Sequence, residues 1–201
     1  MASIYDRFMA ETERACLADW RAELLSAASG AVLDLGAGTG ANVPHMPKAV
    51  TRLVLCEPDP HMRRRLAARA GEAEVVGASA EQLPFDDESF DVVCCMLVLC
   101  TVSDPERALA EVHRVMKPGG KLLFIEHVAA RQRPRRLLLQ RWCEPVWKHL
   151  AENCHLTRDS EEAIEKAGFE FEVLKRESMR KALPIIRTSV RGIARRATSD
   201  A

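Results

Sequence analysis

The sequence predicts an α/β fold, a parallel sheet covered by helices on both faces, and three observations carry that expectation. Short apolar runs alternate with helix-like segments along most of the chain. The runs are continuously apolar rather than alternating, as strands buried on both faces are. The first ends in a glycine cluster, Gly36-Ala37-Gly38-Thr39-Gly40, and the second ends in an acidic residue, Glu57.

The elements follow in order. Ile4, Tyr5, Phe8, Met9, Cys16, Trp20, Leu24 and Leu25 recur at helical spacing among charges, predicting one or two amphipathic helices over about 3–28 that stop near Ser29-Gly30. Strands are expected at AVLDL (31–35), LVLCE (53–57), AEVVGA (73–78), FDVVCCML (90–97) and KLLFIEHV (121–128). Between them, HMRRRLAARAG (61–71) closes on a glycine. A second helix opens with Asp104 as cap and Pro105 at its first position and stops at Pro118-Gly119-Gly120. After Val128 comes the basic stretch RQRPRR (131–136), then a helical stripe of Leu138, Leu139, Trp142, Cys143, Val146, Trp147 and Leu150 interrupted by Pro145. A helix over about 158–166, capped by Thr157 and ended by Gly168, precedes two last strand candidates, FEFEVLKRE (169–177) and RTSVRGIA (187–194).

The 201 residues predict one domain, without a repeat or a low-complexity linker. Its parts are an N-terminal helical cap (1–29), a ligand-binding core (30–128), a lid or substrate insertion (129–157) and a closing segment (158–201). Twenty-nine basic residues balance twenty-nine acidic ones, so no global charge directs the chain to nucleic acid. No uncharged apolar run reaches the roughly eighteen residues of a membrane span, and the N-terminus does not read as a secretion signal; a cytoplasmic location is expected. Seven scattered cysteines, two of them adjacent, suit a reducing compartment, and without a C-x-x-C pair no metal site is expected.

In Leu33-Asp34-Leu35-Gly36-Ala37-Gly38-Thr39-Gly40 a buried strand runs into glycines that let the backbone turn and approach a ligand closely. Glu57, twenty-three positions after Asp34, stands where a carboxylate accepts hydrogen bonds from both hydroxyls of a ribose. Gly36, Gly38 and Ala41 also satisfy the dinucleotide fingerprint, leaving a nicotinamide dehydrogenase as a remote alternative. Asp34 tips the balance, because a carboxylate there holds a cationic amino acid moiety and repels a pyrophosphate.

Two further segments, Ser79-Ala80-Glu81-Gln82-Leu83-Pro84-Phe85 with Phe90-Asp91, and Met116-Lys117-Pro118-Gly119-Gly120-Lys121-Leu122, complete an ordered set. From about residue 30 to 128 the chain resembles the class I S-adenosylmethionine-dependent methyltransferases. The resemblance implies a Rossmann-like seven-stranded mixed sheet whose last strand is antiparallel, with S-adenosylmethionine as cofactor and S-adenosylhomocysteine as product. It implies Asp34, Gly36 and Gly38 around the methionine part, Glu57 on the ribose, and Ser79, Ala80 and Glu81 at the adenine edge. Many relatives carry aspartate where Ser79 stands, which leaves the adenine amino contact to Glu81 or the backbone.

Met96-Leu97-Val98-Leu99-Cys100-Thr101-Val102, Phe124-Ile125-Glu126-His127-Val128-Ala129-Ala130 and Cys154-His155-Leu156-Thr157-Arg158, with Ala163–Phe169 behind it, narrow the resemblance. They look like the methyltransferase-like 7 family, the alkyl thiol methyltransferases. Animal members carry a hydrophobic anchoring segment where Met1–Ser29 is charged here, so membrane residence does not transfer. The expected function is methyl transfer to a small apolar acceptor, a thiol favoured. A quinone-precursor carbon or a phospholipid amine is the alternative within the fold, and a non-catalytic nucleoside-binding partner protein the rival from another class. A thiol is only partly ionised at neutral pH, so a base helps; His127, at a strand end where open sheets bind ligands, is the first candidate and His155 the second. Cys94, Cys95 and Cys100 are expected in packing, and Cys154 beside the acceptor; a Cys154-His155 dyad is not expected. The 138–150 stripe is read as a lid over the substrate, and with Arg131, Arg133, Arg135 and Arg136 as a candidate peripheral membrane contact.

Overall fold

The computed structural model describes residues 9–197. The expected positions Ile4, Tyr5 and Phe8 lie outside them. Seven strands, β1 (Gly30–Leu35), β2 (Val50–Cys56), β3 (Glu74–Val76), β4 (Phe90–Met96), β5 (Met116–His127), β6 (Phe169–Ser178) and β7 (Thr188–Arg196), form one sheet in the order β3-β2-β1-β4-β5-β7-β6. Neighbours from β3 to β5 pair in parallel, and β7 alone runs antiparallel to both β5 and β6. That is the seven-stranded mixed sheet the resemblance implied.

Strand periodicity builds two cores at once, because successive side chains point to opposite faces. Leu33 and Leu35 of β1, Val93 and Cys95 of β4, and Leu122 and Phe124 of β5 pack on one face with Leu109 and Val112 of α3 (Pro105–Val115) and Ile164 of α5 (Ser160–Lys166). Val32, Val92, Cys94, Leu123 and Ile125 face the other way, against Leu17, Trp20, Leu24 and Leu25 of the N-terminal helix. The adjacent Cys94 and Cys95 therefore belong to different cores, which agrees with a packing role. A π-helical turn, Glu13–Leu17, leads into α1 (Ala18–Leu25), and Arg191 of β7 fastens α1 to the sheet by an ion pair to Glu23 at 2.8 Å and by lying over the Trp20 ring.

α2 (Pro60–Ala67) and α3 start as their sequences dictate. Asp59 accepts from the His61 and Met62 amides, Asp104 accepts from Arg107, and a proline follows each cap. α5 departs from expectation: its cap is Asp159, bonded to the Glu162 amide, while the Thr157 hydroxyl donates to Glu144 at 2.5 Å. That bond to Glu144 takes Thr157 out of the helix start. β5 also begins earlier than its apolar run, since Met116 pairs with Phe90 before residues 117–120 loop out and pairing resumes at Val92 with Lys121. α4 (Pro134–Leu150) tolerates Pro145 within its length.

Candidate active site

The strand order reverses at β1, whose neighbours β2 and β4 connect in opposite directions; loops at the carboxyl ends of β1 and β4 part there and leave a crevice. Gly36 and Gly38 adopt φ of 63° and 57° in the β1 loop. A Cβ at Gly36 would stand 2.5 Å from Val98 Cγ2, so glycine is what lets the two loops close on each other, whereas at Gly38 the nearest atom would be 4.0 Å away, in open cleft. Two hollows of about 450 and 440 Å³ meet over Gly36, Gly38 and Met96. The first runs under the N-terminal helix to Glu13 and Arg21, the second past Glu57 to Ser79, Ala80, Glu81 and Asn153.

Asp34 is fully buried at the floor between them. Its Oδ1 accepts from Asn42 Nδ2 at 2.7 Å, and Asn42 Oδ1 accepts from Arg21 Nη1 at 2.6 Å, while Arg21 Nε donates to Glu13 at 2.9 Å. Asp34 Oδ2 has no partner among the described residues. Burial raises the Asp34 carboxyl to about 6, against the opposing pull of Asn42 and Arg21. A buried carboxylate with one idle oxygen calls for a cationic or donor group.

Glu57, nearly enclosed, accepts from the Gly38 amide on Oε2 and the Asp59 amide on Oε1, both at 2.9 Å, and burial raises its carboxyl as well. The glycine loop thereby orients the carboxylate at the wall of the second hollow. Ser79 and Glu81 bond to each other, and Glu81 Oε1 also accepts from the Ser103 amide at 2.8 Å, so this side chain braces the segment before α3 while Ala80 lies buried beside it.

The β4 loop is held by Glu126. Its fully buried carboxylate accepts three backbone amides, Val98 at 2.8 Å, Leu99 at 2.9 Å and Cys100 at 3.1 Å, and Arg158 donates to the Leu99 carbonyl at 2.6 Å. Burial pushes the Glu126 carboxyl up to about 7 despite those bonds. The next residue, His127, ends β5 with Nε2 at 2.8 Å from Cys154 Sγ and a buried Nδ1 without a hydrogen-bond partner among the described residues. Cys100 joins them; the three ligating atoms lie within 4.8 Å of one another and all three residues are buried. A thiol–imidazole contact therefore exists, but Cys154 makes it with the histidine 27 positions upstream. His155 turns away to Glu144 at 3.4 Å and Asn153 at 3.3 Å, while its amide holds the Cys100 carbonyl. Burial lowers the His155 pKa.

Residues 33–124 match the family model described as a methyltransferase domain. Human thiol S-methyltransferase TMT1B is 38% identical over 171 residues, which span 80% of this chain and 70% of that protein. The chain belongs to the methyltransferase-like 7 (TMT1) family. Rat thiol S-methyltransferase TMT1B shares 41% identity, with the match spanning 69% of this chain and only 59% of the rat protein. Among solved structures, an S-adenosylmethionine-dependent methyltransferase of Thermotoga maritima superposes with a TM-score of 0.72, covering 98% of this chain and 96% of its own at 24% identity. The [4+2]-cyclase SpnF reaches 0.73 over 91% of this chain and 80% of its own at 20% identity, so the fold by itself hosts more than one chemistry.

The cofactor of this methyltransferase-like 7 chain is S-adenosylmethionine, and the residues fit it. A buried Asp34 oxygen without a partner among the described residues, open space over Gly38 and an amide-anchored Glu57 carboxylate offer the acceptors and the room that a cationic amino acid moiety and a ribose would use. Sequence reasoning missed Asn42, Arg21 and Met96, which belong to no repeating pattern; only the fold brings the N-terminal helix over the glycine loop.

Proposed function

We propose that the chain methylates small apolar thiols. The shared chain of the thiol S-methyltransferases supports the acceptor class, and the cleft from Asp34 to Glu57 supports the donor. When bound, S-adenosylmethionine supplies an electrophilic methyl group on a sulfonium, so the protein needs no nucleophile of its own. Asp34 would hold its amino acid part and Glu57 its ribose, which would fix the methyl position and remove the entropy of searching for it. The apolar lining from Met96 to Val98 keeps water from the line of attack.

The remaining task is to ionise the acceptor. His127 is our proton acceptor: Nε2 is anchored on Cys154, which leaves the buried Nδ1 lone pair to take a proton. His155 is the reserve, on the loop after α4 and 3.4 Å from Glu144 of that helix. Ser79, Ala80 and Glu81 frame the adenine edge, where Glu81 is already engaged and the backbone carries the remaining contacts.

A second reading has one observation in its favour. α4 exposes Leu138, Trp142, Val146 and Leu150 along one face, Trp142 at 83%, beside Arg131, Arg133 and Arg135. Such a face suits an anionic bilayer surface and a lipid or quinol acceptor. Labelled-methyl transfer from S-adenosylmethionine to alkyl thiols, quinols and phospholipid vesicles separates the two. Thiol products without detergent or lipid support the first reading, and transfer confined to vesicles overturns it.

A further inference from the structure

The cluster of Cys100, His127 and Cys154 is more than methyl transfer requires, since the reactive carbon comes from the cofactor. Two thiols and an imidazole are brought together from three elements, the β4 loop, the end of β5 and the loop after α4. A zinc ion shared by such donors, at about 2.0 Å from nitrogen and 2.3 Å from sulfur, would hold them roughly 3.5 Å apart. The His127–Cys154 separation of 2.8 Å is instead a hydrogen-bond contact. Among the described residues the group offers three protein donors.

We propose that Cys154 and Cys100 are a redox-active dithiol, with Cys154 as the thiolate that reacts with hydroperoxide and Cys100 as the thiol that resolves it to a disulfide. His127 Nε2 stands 2.8 Å from the Cys154 sulfur, and the Cys100 sulfur lies within 4.8 Å of both. The neighbouring Cys100 and then His127 lower the Cys154 thiol below the usual thiol range against its burial, while Cys154 and burial drive Cys100 upward. One sulfur is thus the anion and its neighbour the proton-bearing partner, the division of roles that thiol oxidation uses.

The chemistry balances. The Cys154 sulfur attacks one peroxide oxygen, the O–O bond breaks, and the departing hydroxide takes up the proton lost when the thiol ionised, leaving as water. Cys154 is then a sulfenic acid. The Cys100 sulfur attacks it, the S–O bond breaks, and hydroxide leaves with the Cys100 proton as a second water. Two thiols have lost two electrons and one peroxide has been reduced to water.

The consequence lies at the cofactor cleft. Asn153 and Glu152, which precede Cys154, line the second hollow at φ of 66° and 49°, and Asn153 Nδ2 bonds the Thr101 carbonyl at 2.8 Å. A disulfide of about 2.05 Å would fasten this loop covalently to the β4 loop and take the thiolate away from His127.

The test treats the full chain with hydrogen peroxide and maps peptides without reduction. A Cys100–Cys154 peptide that dithiothreitol releases is expected, with the other cysteines free. Cys100→Ser should stop at a Cys154 sulfenic acid that dimedone traps, Cys154→Ser should give neither product, and Cys143→Ser should behave as the parent. Iodoacetamide labelling of Cys154 at pH 6 should slow about tenfold or more in His127→Ala, provided S-adenosylhomocysteine binding shows the variant folded. Thiols that all resist peroxide, a disulfide elsewhere, or close to one zinc per chain lost in Cys100→Ser would each overturn the assignment.

Discussion

At the scale of single residues, the cleft's behaviour rests on buried carboxylates whose protonation the fold has shifted. Asp34 is raised from 3.8 to about 6, so the free protein carries it increasingly protonated below neutrality. A cationic ligand needs the carboxylate. S-adenosylmethionine should therefore bind about tenfold more weakly at pH 5 than at pH 7.5, and Asp34→Asn should bind weakly at both, as calorimetry would read. Equal affinity of the parent protein at the two pH values would remove Asp34 from the site. Glu57→Ala should cost roughly 1.5 to 3 kcal/mol of cofactor binding, the range for hydrogen bonds to a charged group. Glu126 bears on stability instead. Its folded pKa of about 7 lies above the ordinary glutamate value of 4.5, so the fold favours the protonated acid. That stabilisation is complete below about 4.5 and is lost as pH rises through 7, roughly 3 kcal/mol across the window. Urea midpoints should rise from pH 8 to 5.5 in the parent protein and rise less in Glu126→Gln.

At the scale of elements, β7 and α4 make opposite demands on their sequences. Gly192 lies where β7 passes the irregular pairing with β6, and a Cβ there would stand 1.9 Å from the Val173 carbonyl oxygen. Backbone cannot yield as a side-chain tip can, so Gly192→Ala should destabilise by about 3 kcal/mol or more, measured by chemical unfolding. A loss below 1 kcal/mol would mean the hairpin shifts freely. α4 leaves apolar side chains in water. If that face meets lipid, Trp142→Glu should abolish sedimentation with anionic vesicles and leave methyl transfer to a soluble thiol unchanged. Strand and helix positions were legible in the sequence because each apolar run and each Asp-Pro start acts locally. The cap of α5 was not, because Thr157 is drawn to Glu144 by packing that no local pattern records.

At the scale of the molecule, the same division holds for the site. Asp34, the glycines and Glu57 were readable because they follow one another along β1, its loop and β2. Asn42 and Arg21 were not, since the contact between them depends on how α1 lies across the sheet. The pairing of His127 with Cys154 was equally hidden: the sequence spoke only against a dyad with the adjacent His155, and the fold brings the end of β5 against the loop after α4. The fold thus assembles a donor cleft on the β1 side of the switch point and a sulfur-rich corner on the β4–β5 side. We propose that an acceptor thiol meets the methyl group between them. The most direct measurement is mass-detected methyl transfer from labelled S-adenosylmethionine to a series of alkyl thiols by the full chain. The expected product is the S-methyl thioether, with Glu57→Ala needing more cofactor to reach the same rate and His127→Ala slowed chiefly below the thiol pKa. Cofactor binding without a methylated thiol at any pH, while a quinol or phospholipid is methylated, would contradict it.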